Sequence, residues 1–312
     1  MSYLFYCHDD NGSMLQAFTQ ALGEDELIQW LPDQSFDKAA VHAAIVWMPP
    51  EHFFDGLDNL EYVFALAAGV DQLIEHPGLR SEVTLVRLQD AGMGIQMAEY
   101  VLYGVLHAQR QFGLFRQQQA DRNWTRGTGI CPASEFPVSI LGAGVLGLQV
   151  AARLHHNGYP VRCWSRTARQ LPPGIIGEVG EQGLPSLLAN SRVLVCLLPL
   201  TDETTGLLNS SLFGQLPRGA FLINVARGAH LVDEDLLAAL DNQQLSGALL
   251  DVFHTEPLPP EHPFWNHPQI LVTPHEAANS DVKHSVEQVV RSIRQLQRGE
   301  VPVGVVDRTR GY

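Results

Sequence analysis

The sequence predicts an α/β protein made of two doubly wound parallel-sheet domains. Three observations carry that expectation. Short β-rich runs alternate with amphipathic helical segments from end to end, the pattern of right-handed βαβ crossovers. The 312 residues are enough for two domains of ordinary size. Two long helical stretches, 95–119 and 279–298, are placed so that the chain can cross from one domain to the other and back.

Taken in order, the first third offers strand candidates at 3–7, 44–47, 62–65 and 85–87. The long helical stretch 95–119 follows, then a Gly/Pro-rich loop at 127–137. A second set of strands is expected at 138–141, 160–164, 193–198, 220–225, 247–252 and 270–273, with helices at 145–156 and 234–241 between them. The helix 279–298 closes the series. The expected division is a middle domain over 98–278 and a discontinuous domain from 1–97 and 279–312.

Composition excludes several classes. Hydrophobic residues make up 45% and charged residues 17%, a globular balance rather than that of a disordered or membrane protein. The net charge of −14 repels polyanions, which argues against a nucleic-acid partner, although a local basic patch can still hold one small anion. The first residues, MSYLFYCHDDNGS, lack a basic leader and read as a strand; no run is long enough to cross a bilayer. Cys7, Cys131, Cys163 and Cys196 form no CxxC pair, and the last two lie in apolar runs, so free buried thiols in a reducing compartment are expected. A cytoplasmic location follows from these points. His155, His156, His262 and His267 lack ligand spacing, and no metal is expected.

The sequence Gly142-Ala143-Gly144-Val145-Leu146-Gly147 follows one predicted strand and opens one predicted helix. Alone a GxGxxG is weak; in this context it is a dinucleotide-binding turn. Gly142 allows the tight turn, Gly144 lets backbone approach a pyrophosphate, and Gly147 lets the helix pack on the sheet. The helix N-terminus offers N–H groups and the positive end of its dipole. The next strand ends in Ser165-Arg166-Thr167, with Arg169 beyond. An NAD site would place a carboxylate there, to accept from the ribose hydroxyls. A hydroxyl and a guanidinium attract a 2′-phosphate instead, so NADPH is the expected cofactor. The plainer alternative is a solvated basic turn.

Arg227 stands at the mouth of the apolar run Phe221-Leu222-Ile223, where ligands of open α/β sheets bind. Glu256 follows the strand 247–252, and His275 follows 270–273. Each has an ordinary reading: a surface ion-pair partner, a loop residue, a structural histidine. Together, at three strand ends of one domain, they suit carbonyl reduction. The oxygen gains charge as hydride reaches carbon; His275 can protonate it, Glu256 can stabilise the imidazolium, and Arg227 can grip a 2-keto acid.

These residues resemble the D-isomer-specific 2-hydroxy acid dehydrogenases, and within them the glyoxylate/hydroxypyruvate reductase A type. The resemblance covers essentially the whole chain. It rests on AAGVD (67–71), ILGAGVLG (140–147), CWSRT (163–167), LLPLTDETTGLLN (197–209), LPRGAFLINVARG (216–228), LLDVFHTEPLPPEHPFW (249–265), TPHEAA (273–278) and DRTRGY (307–312). It implies a Rossmann nucleotide domain and a flavodoxin-like substrate domain. It also implies NADPH/NADP+ as cofactor, a small 2-keto acid as substrate, and a homodimer formed through the nucleotide domains. By motif, Leu198, Pro199, Ala226 and Asp251 join the cofactor site, Asp251 facing the nicotinamide amide. Ala68, Gly69 and Val70 would hold the substrate carboxylate through backbone N–H groups, and Trp47 would wall the site. Glu276, directly after His275, departs from the usual apolar residue; it is expected to point away from the imidazole. Rival readings are an NADH-dependent enzyme of a larger D-2-hydroxy acid, a nucleotide-sensing binding protein on the same fold, and a Rossmann methyltransferase.

Overall fold

Parallel sheets buried on both faces need apolar residues on both sides of their central strands, and the central strands of this chain supply them. The computed structural model describes residues 2–8, 10–32, 35–126 and 129–312. Gly127 and Thr128, the first two residues of the expected Gly/Pro-rich loop, lie outside the described residues. The chain divides into two compact units, Met1–Gly92 with Ser280–Tyr312, and Met93–Asn279.

The first unit has five strands: β1 (Ser2–Cys7), β2 (Leu27–Gln29), β3 (Val41–Trp47), β4 (Tyr62–Ala65) and β5 (Thr84–Arg87). Their order is β2-β1-β3-β4-β5, all pairs parallel. This is the flavodoxin-like order, with the winding reversing between β1 and β3. Helices α1 (Ser13–Leu22), α2 (Asp71–Ile74) and α9 (Val282–Gln297) belong to this unit, and α1 packs on α9. Asp281 caps α9 by accepting from the His284 N–H, so the helix begins three residues later than position 279.

The second unit has seven strands: β6 (Val138–Leu141), β7 (Val161–Ser165), β8 (Ile176–Val179), β9 (Val193–Cys196), β10 (Ala220–Asn224), β11 (Leu245–Leu250) and β12 (Ile270–Val272). The order β12-β11-β10-β9-β6-β7-β8 is parallel throughout and reverses between β6 and β9, as in a Rossmann sheet. Alternate residues face opposite sides. Leu222, Cys196 and Leu250 pack into one cluster, while Phe221, Ile223, Val195 and Leu249 pack into the other. Helices α3 (Met93–Gln109), α4 (Phe112–Ala120), α5 (Val145–His156), α6 (Gly180–Ala189), α7 (Ser210–Phe213) and α8 (Asp233–Asp241) complete the unit.

Two expectations are corrected. The helical stretch 95–119 is two helices, because Gln111 adopts a left-handed backbone (φ 55°) that breaks the hydrogen-bond ladder between α3 and α4. The strands β2 and β8 were not expected; both are short edge strands, β2 half-buried and β8 largely exposed, so neither carries a buried apolar run. Cys163 and Cys196 are buried free thiols, and burial pushes each up to about 12. Among the described residues no helix is long and apolar enough to cross a membrane.

Leu222 is fully buried in β10, between β9 and β11. Leu222→Ala is expected to cost about 2–5 kcal/mol, read as a lowered midpoint in urea denaturation.

Candidate active site

The turn from β6 to α5 depends on two glycines, Gly142 and Gly147, that leave no room for a side chain. Gly142 has φ +113°, and a Cβ there would lie 2.5 Å from the Leu197 carbonyl oxygen. A Cβ at Gly147 would meet the Gly142 carbonyl oxygen, so the helix can approach the turn only without one. Gly144 is different: a Cβ there would meet nothing within 4 Å. Gly144 and Val145 are exposed, Leu146 is half-exposed, and Ala143 is buried beneath them. The first N–H groups of α5 therefore border open space at the switch point of the sheet, a cradle that fits a pyrophosphate.

At the end of β7 the Ser165 hydroxyl donates to the Thr167 carbonyl (2.8 Å) and closes the basic turn. Arg166 is exposed, with a guanidinium nitrogen 3.8 Å from a Glu203 carboxylate oxygen. No carboxylate stands at the strand's own end: Ser165, Arg166 and Thr167 occupy it. Leu198 and Pro199 follow β9, and Ala226 follows β10. Leu198 and Ala226 are buried, while Pro199 is half-buried.

Arg227, Glu256 and His275 are brought to the carboxyl ends of adjacent strands. Asn224 pairs with Leu250, and Leu250 with Val272, so β10, β11 and β12 end side by side. His275 Nδ1 is 2.7 Å from Glu256 Oε2. The other Glu256 oxygen accepts from the Phe253 N–H at 2.9 Å, which aims the carboxylate. The Glu256 hydrogen bond raises the His275 pKa above its ordinary value; partial burial opposes this, the Glu256 charge adds to it, Arg227 opposes and Asp251 adds. For Glu256, burial acts upward but is outweighed by the hydrogen bonds from His275 and Phe253, so its pKa lies below the usual value. Arg227 thus lies close enough to act on both members of the pair. Its guanidinium also donates to the Ala226 carbonyl (2.8 Å).

Several residues that shape this cluster carry no pattern visible in the sequence. Asn224 is fully buried in β10; its amide donates to the Arg227 carbonyl (2.9 Å) and its oxygen accepts from the Ala226 N–H (3.2 Å). His230, also fully buried, has Nε2 3.2 Å from the Pro199 carbonyl and Nδ1 3.2 Å from the Arg227 N–H. Nδ1 also lies 3.1 Å from the Arg227 carbonyl, so the ring is held against both backbone groups of that residue. A Cβ on Gly228 would meet the Phe253 backbone, so the arginine turn packs directly against the start of the Glu256 loop. Asn224 inside an apolar strand was the one available signal for a buried polar function.

Asp251 is 1% exposed. Its carboxylate accepts from the Thr273 hydroxyl (2.6 Å) and from the N–H groups of Glu276 and Ala277 (both 2.9 Å). Its visible contacts therefore go to the histidine loop. His275 itself has φ 59°, a left-handed conformation that costs a non-glycine residue on the order of 1 kcal/mol. Glu276 turns away: its carboxylate accepts from the Asn279 side chain at 2.7 Å.

In the first unit, Trp47 ends β3 and is 37% exposed. Ala68, Gly69 and Val70 form the turn between β4 and α2, at the same carboxyl edge of the sheet. Arg87 donates to the Ala68 carbonyl (3.1 Å) and braces that turn.

A Rossmann sheet with a phosphate cradle and an Arg/Glu/His cluster at its strand ends defines a nicotinamide-dependent oxidoreductase. Comparison with known proteins narrows the class. Residues 102–277 match the family model described as D-isomer specific 2-hydroxyacid dehydrogenase, NAD binding domain. Among solved structures, a D-isomer specific 2-hydroxyacid dehydrogenase from Xanthobacter autotrophicus Py2 in complex with NADPH and MES is 37% identical, with 100% of this chain and 99% of that chain covered and a TM-score of 0.94. An NADPH-dependent glyoxylate/hydroxypyruvate reductase from Sinorhizobium meliloti in complex with NADP and sulfate is 34% identical, with all of both chains covered and a TM-score of 0.93. A probable 2-hydroxyacid dehydrogenase from Rhizobium etli CFN 42 in complex with NADP, HEPES and L(+)-tartaric acid is 31% identical, with 100% of this chain and 99% of that chain covered and a TM-score of 0.90. The chain belongs to the D-isomer specific 2-hydroxyacid dehydrogenase family.

Glu256→Gln removes the charge behind the imidazole. The His275 pKa is expected to fall toward the ordinary histidine value of 6.5, measured by NMR titration of the ring.

Proposed function

We propose that the protein reduces small 2-keto acids with NADPH, taking glyoxylate to glycolate and hydroxypyruvate to D-glycerate. The observation that carries this reading is the 2.7 Å contact between His275 Nδ1 and Glu256 Oε2, with Arg227 acting on both. The Ser165-Arg166 turn in place of a carboxylate supports the phosphorylated nucleotide. So does the presence of NADPH or NADP in three similar structures, one of them a glyoxylate/hydroxypyruvate reductase.

In this reading Gly142, Ala143, Gly144, Val145, Leu146 and Gly147 cradle the pyrophosphate, and Ser165, Arg166 and Thr167 take the 2′-phosphate. Leu198, Pro199, Ala226 and Asp251 border the nicotinamide end, Asp251 through the loop it anchors. The bound nucleotide supplies hydride equivalents. Arg227 grips the keto acid by carboxylate and carbonyl oxygen and polarises the carbonyl. His275, its proton affinity raised by Glu256, delivers the proton from Nε2 to that oxygen. Ala68, Gly69 and Val70 bind the substrate carboxylate through backbone N–H groups, and Trp47 limits substrate size.

We also propose a homodimer formed through the nucleotide domain. Tyr103, Phe112 and Leu114 expose large apolar side chains on α3 and α4, and nearby in sequence Trp124 is 90% exposed. Sedimentation velocity should give twice the chain mass, and Phe112→Asp should shift it toward the monomer.

The activity test is the decay of NADPH absorbance with glyoxylate or hydroxypyruvate. His275→Ala should lower kcat by about 10²–10⁴. No turnover by the wild type, or full turnover by the variant, overturns the reading. Arg166→Ala should raise KM for NADPH about tenfold, as loss of a charge-assisted bond of ~1.5 kcal/mol requires, and leave NADH unchanged.

The pH dependence has a defined sign. Reduction needs the imidazolium, whose pKa is raised above the ordinary histidine value by the Glu256 hydrogen bond, so the rate should hold below that raised pKa and fall as pH rises through it. Oxidation of the hydroxy acid needs the neutral ring and should rise over the same range.

A further inference from the structure

We propose that Tyr100, on a helix remote in sequence from the cluster, is a positioning residue for the acid–base histidine: through Thr273 and Asp251 it fixes the turn on which His275 stands. This rests on the assignment of His275 as proton donor.

Three hydroxyl and carboxyl groups form one chain. The Tyr100 hydroxyl meets Thr273 Oγ1 at 2.5 Å, and Thr273 Oγ1 donates to Asp251 Oδ1 at 2.6 Å. Threonine has a single hydroxyl proton, and Asp251 takes it, so Tyr100 must be the donor to Thr273. Burial holds the Tyr100 phenol well above its ordinary value, with the Thr273 bond acting the other way, so the proton needed for that donation stays in place. Every bond in the chain therefore points toward the Asp251 carboxylate, an arrangement in which each bond polarises the next.

The far end of the chain is the histidine turn. Asp251 holds the Glu276 and Ala277 N–H groups with its carboxylate and the His275 N–H with its backbone carbonyl (2.8 Å). The carbonyl of Thr273 accepts from the same His275 N–H at 3.1 Å. His275 sits at φ 59°, which a non-glycine residue keeps only when its neighbours over-determine it. That backbone angle sets the direction of the ring and hence the reach from Nδ1 to Glu256. Tyr100 ties the turn to α3, whose Gln96 also exchanges two hydrogen bonds with the Asn279 backbone further along the same segment.

The charged groups acting on His275 are Glu256, Arg227 and Asp251; the Glu276 carboxylate is engaged by Asn279. A turn that loosens moves the ring away from Glu256 and lowers its affinity for a proton. The alkaline limb of the reduction profile then shifts to lower pH.

The test uses full-length Tyr100→Phe, Thr273→Val and Thr273→Ser proteins. The His275 ring is titrated by NMR without substrate, and kcat, nucleotide KM and Tm are measured beside it. Tyr100→Phe and Thr273→Val should lower the His275 midpoint and reduce kcat several-fold at unchanged nucleotide KM. Thr273→Ser, which keeps the hydroxyl, should titrate and turn over like the wild type. If the midpoint and kcat stay at wild-type values in Tyr100→Phe and only Tm falls, the residue is structural and the proposal is overturned. Should the wild type turn over no keto acid, the activity reading fails; a shifted His275 midpoint in Tyr100→Phe would still support the positioning role, and an unshifted one would sink it as well.

Discussion

The contact between His275 and Glu256 is the interaction to which the rest of the site is subordinate. A carboxylate behind the imidazole favours the charged ring, and the same pairing pulls the carboxyl pKa down. Both side chains are partly exposed, so the pair adds little to folding stability once solvent screening is allowed for. Its value is geometric and electrostatic. The two residues are 19 apart in the chain, and only a parallel sheet with β11 beside β12 sets their loops side by side.

That geometry is held by polar groups buried beneath it. Asn224, His230 and Asp251 are almost wholly inaccessible, and each bonds to backbone groups of the loops that carry the functional side chains. Burying a polar group costs free energy unless its bonds are made, so each of these residues is stable only with its loop in place. The loops gain definition from that dependence. The arginine turn adds a steric condition: Gly228 has no room for a side chain against Phe253, which fixes the distance between the Arg227 and Glu256 loops.

Legibility in the sequence followed the strength of the physical signal. Strands buried on both faces, such as β6, β9 and β10, are continuous apolar runs and were readable within a residue or two. The edge strands β2 and β8 bury little, and so left no run to read. The break between α3 and α4 was invisible because Gln111 is an ordinary helix residue held left-handed by its surroundings. The glycine turn and the Arg/Glu/His set were readable because their chemistry needs those residue types at strand ends. Most supports were not: Tyr100, Thr273 and His230 act on atoms far away in sequence or on backbone groups, and spacing encodes neither.

One electrostatic question remains for a protein whose net charge of −14 must admit an anionic nucleotide and an anionic substrate. Mobile ions screen charges beyond about 8 Å at physiological salt, so the distant carboxylates contribute little at a strand end. What an approaching phosphate meets is local: N–H groups at the start of α5, and Arg166 with Arg169 after β7. The Glu203 carboxylate at 3.8 Å from Arg166 tempers that field, since a phosphate has to compete with it for the guanidinium. Arg227 has its own counter-charge in Glu256, which partners His275 as well. Arg166 and Arg227 are thus each set beside a carboxylate that another group also engages, Thr201 for Glu203 and His275 for Glu256. A carboxylate committed elsewhere competes weakly for its arginine.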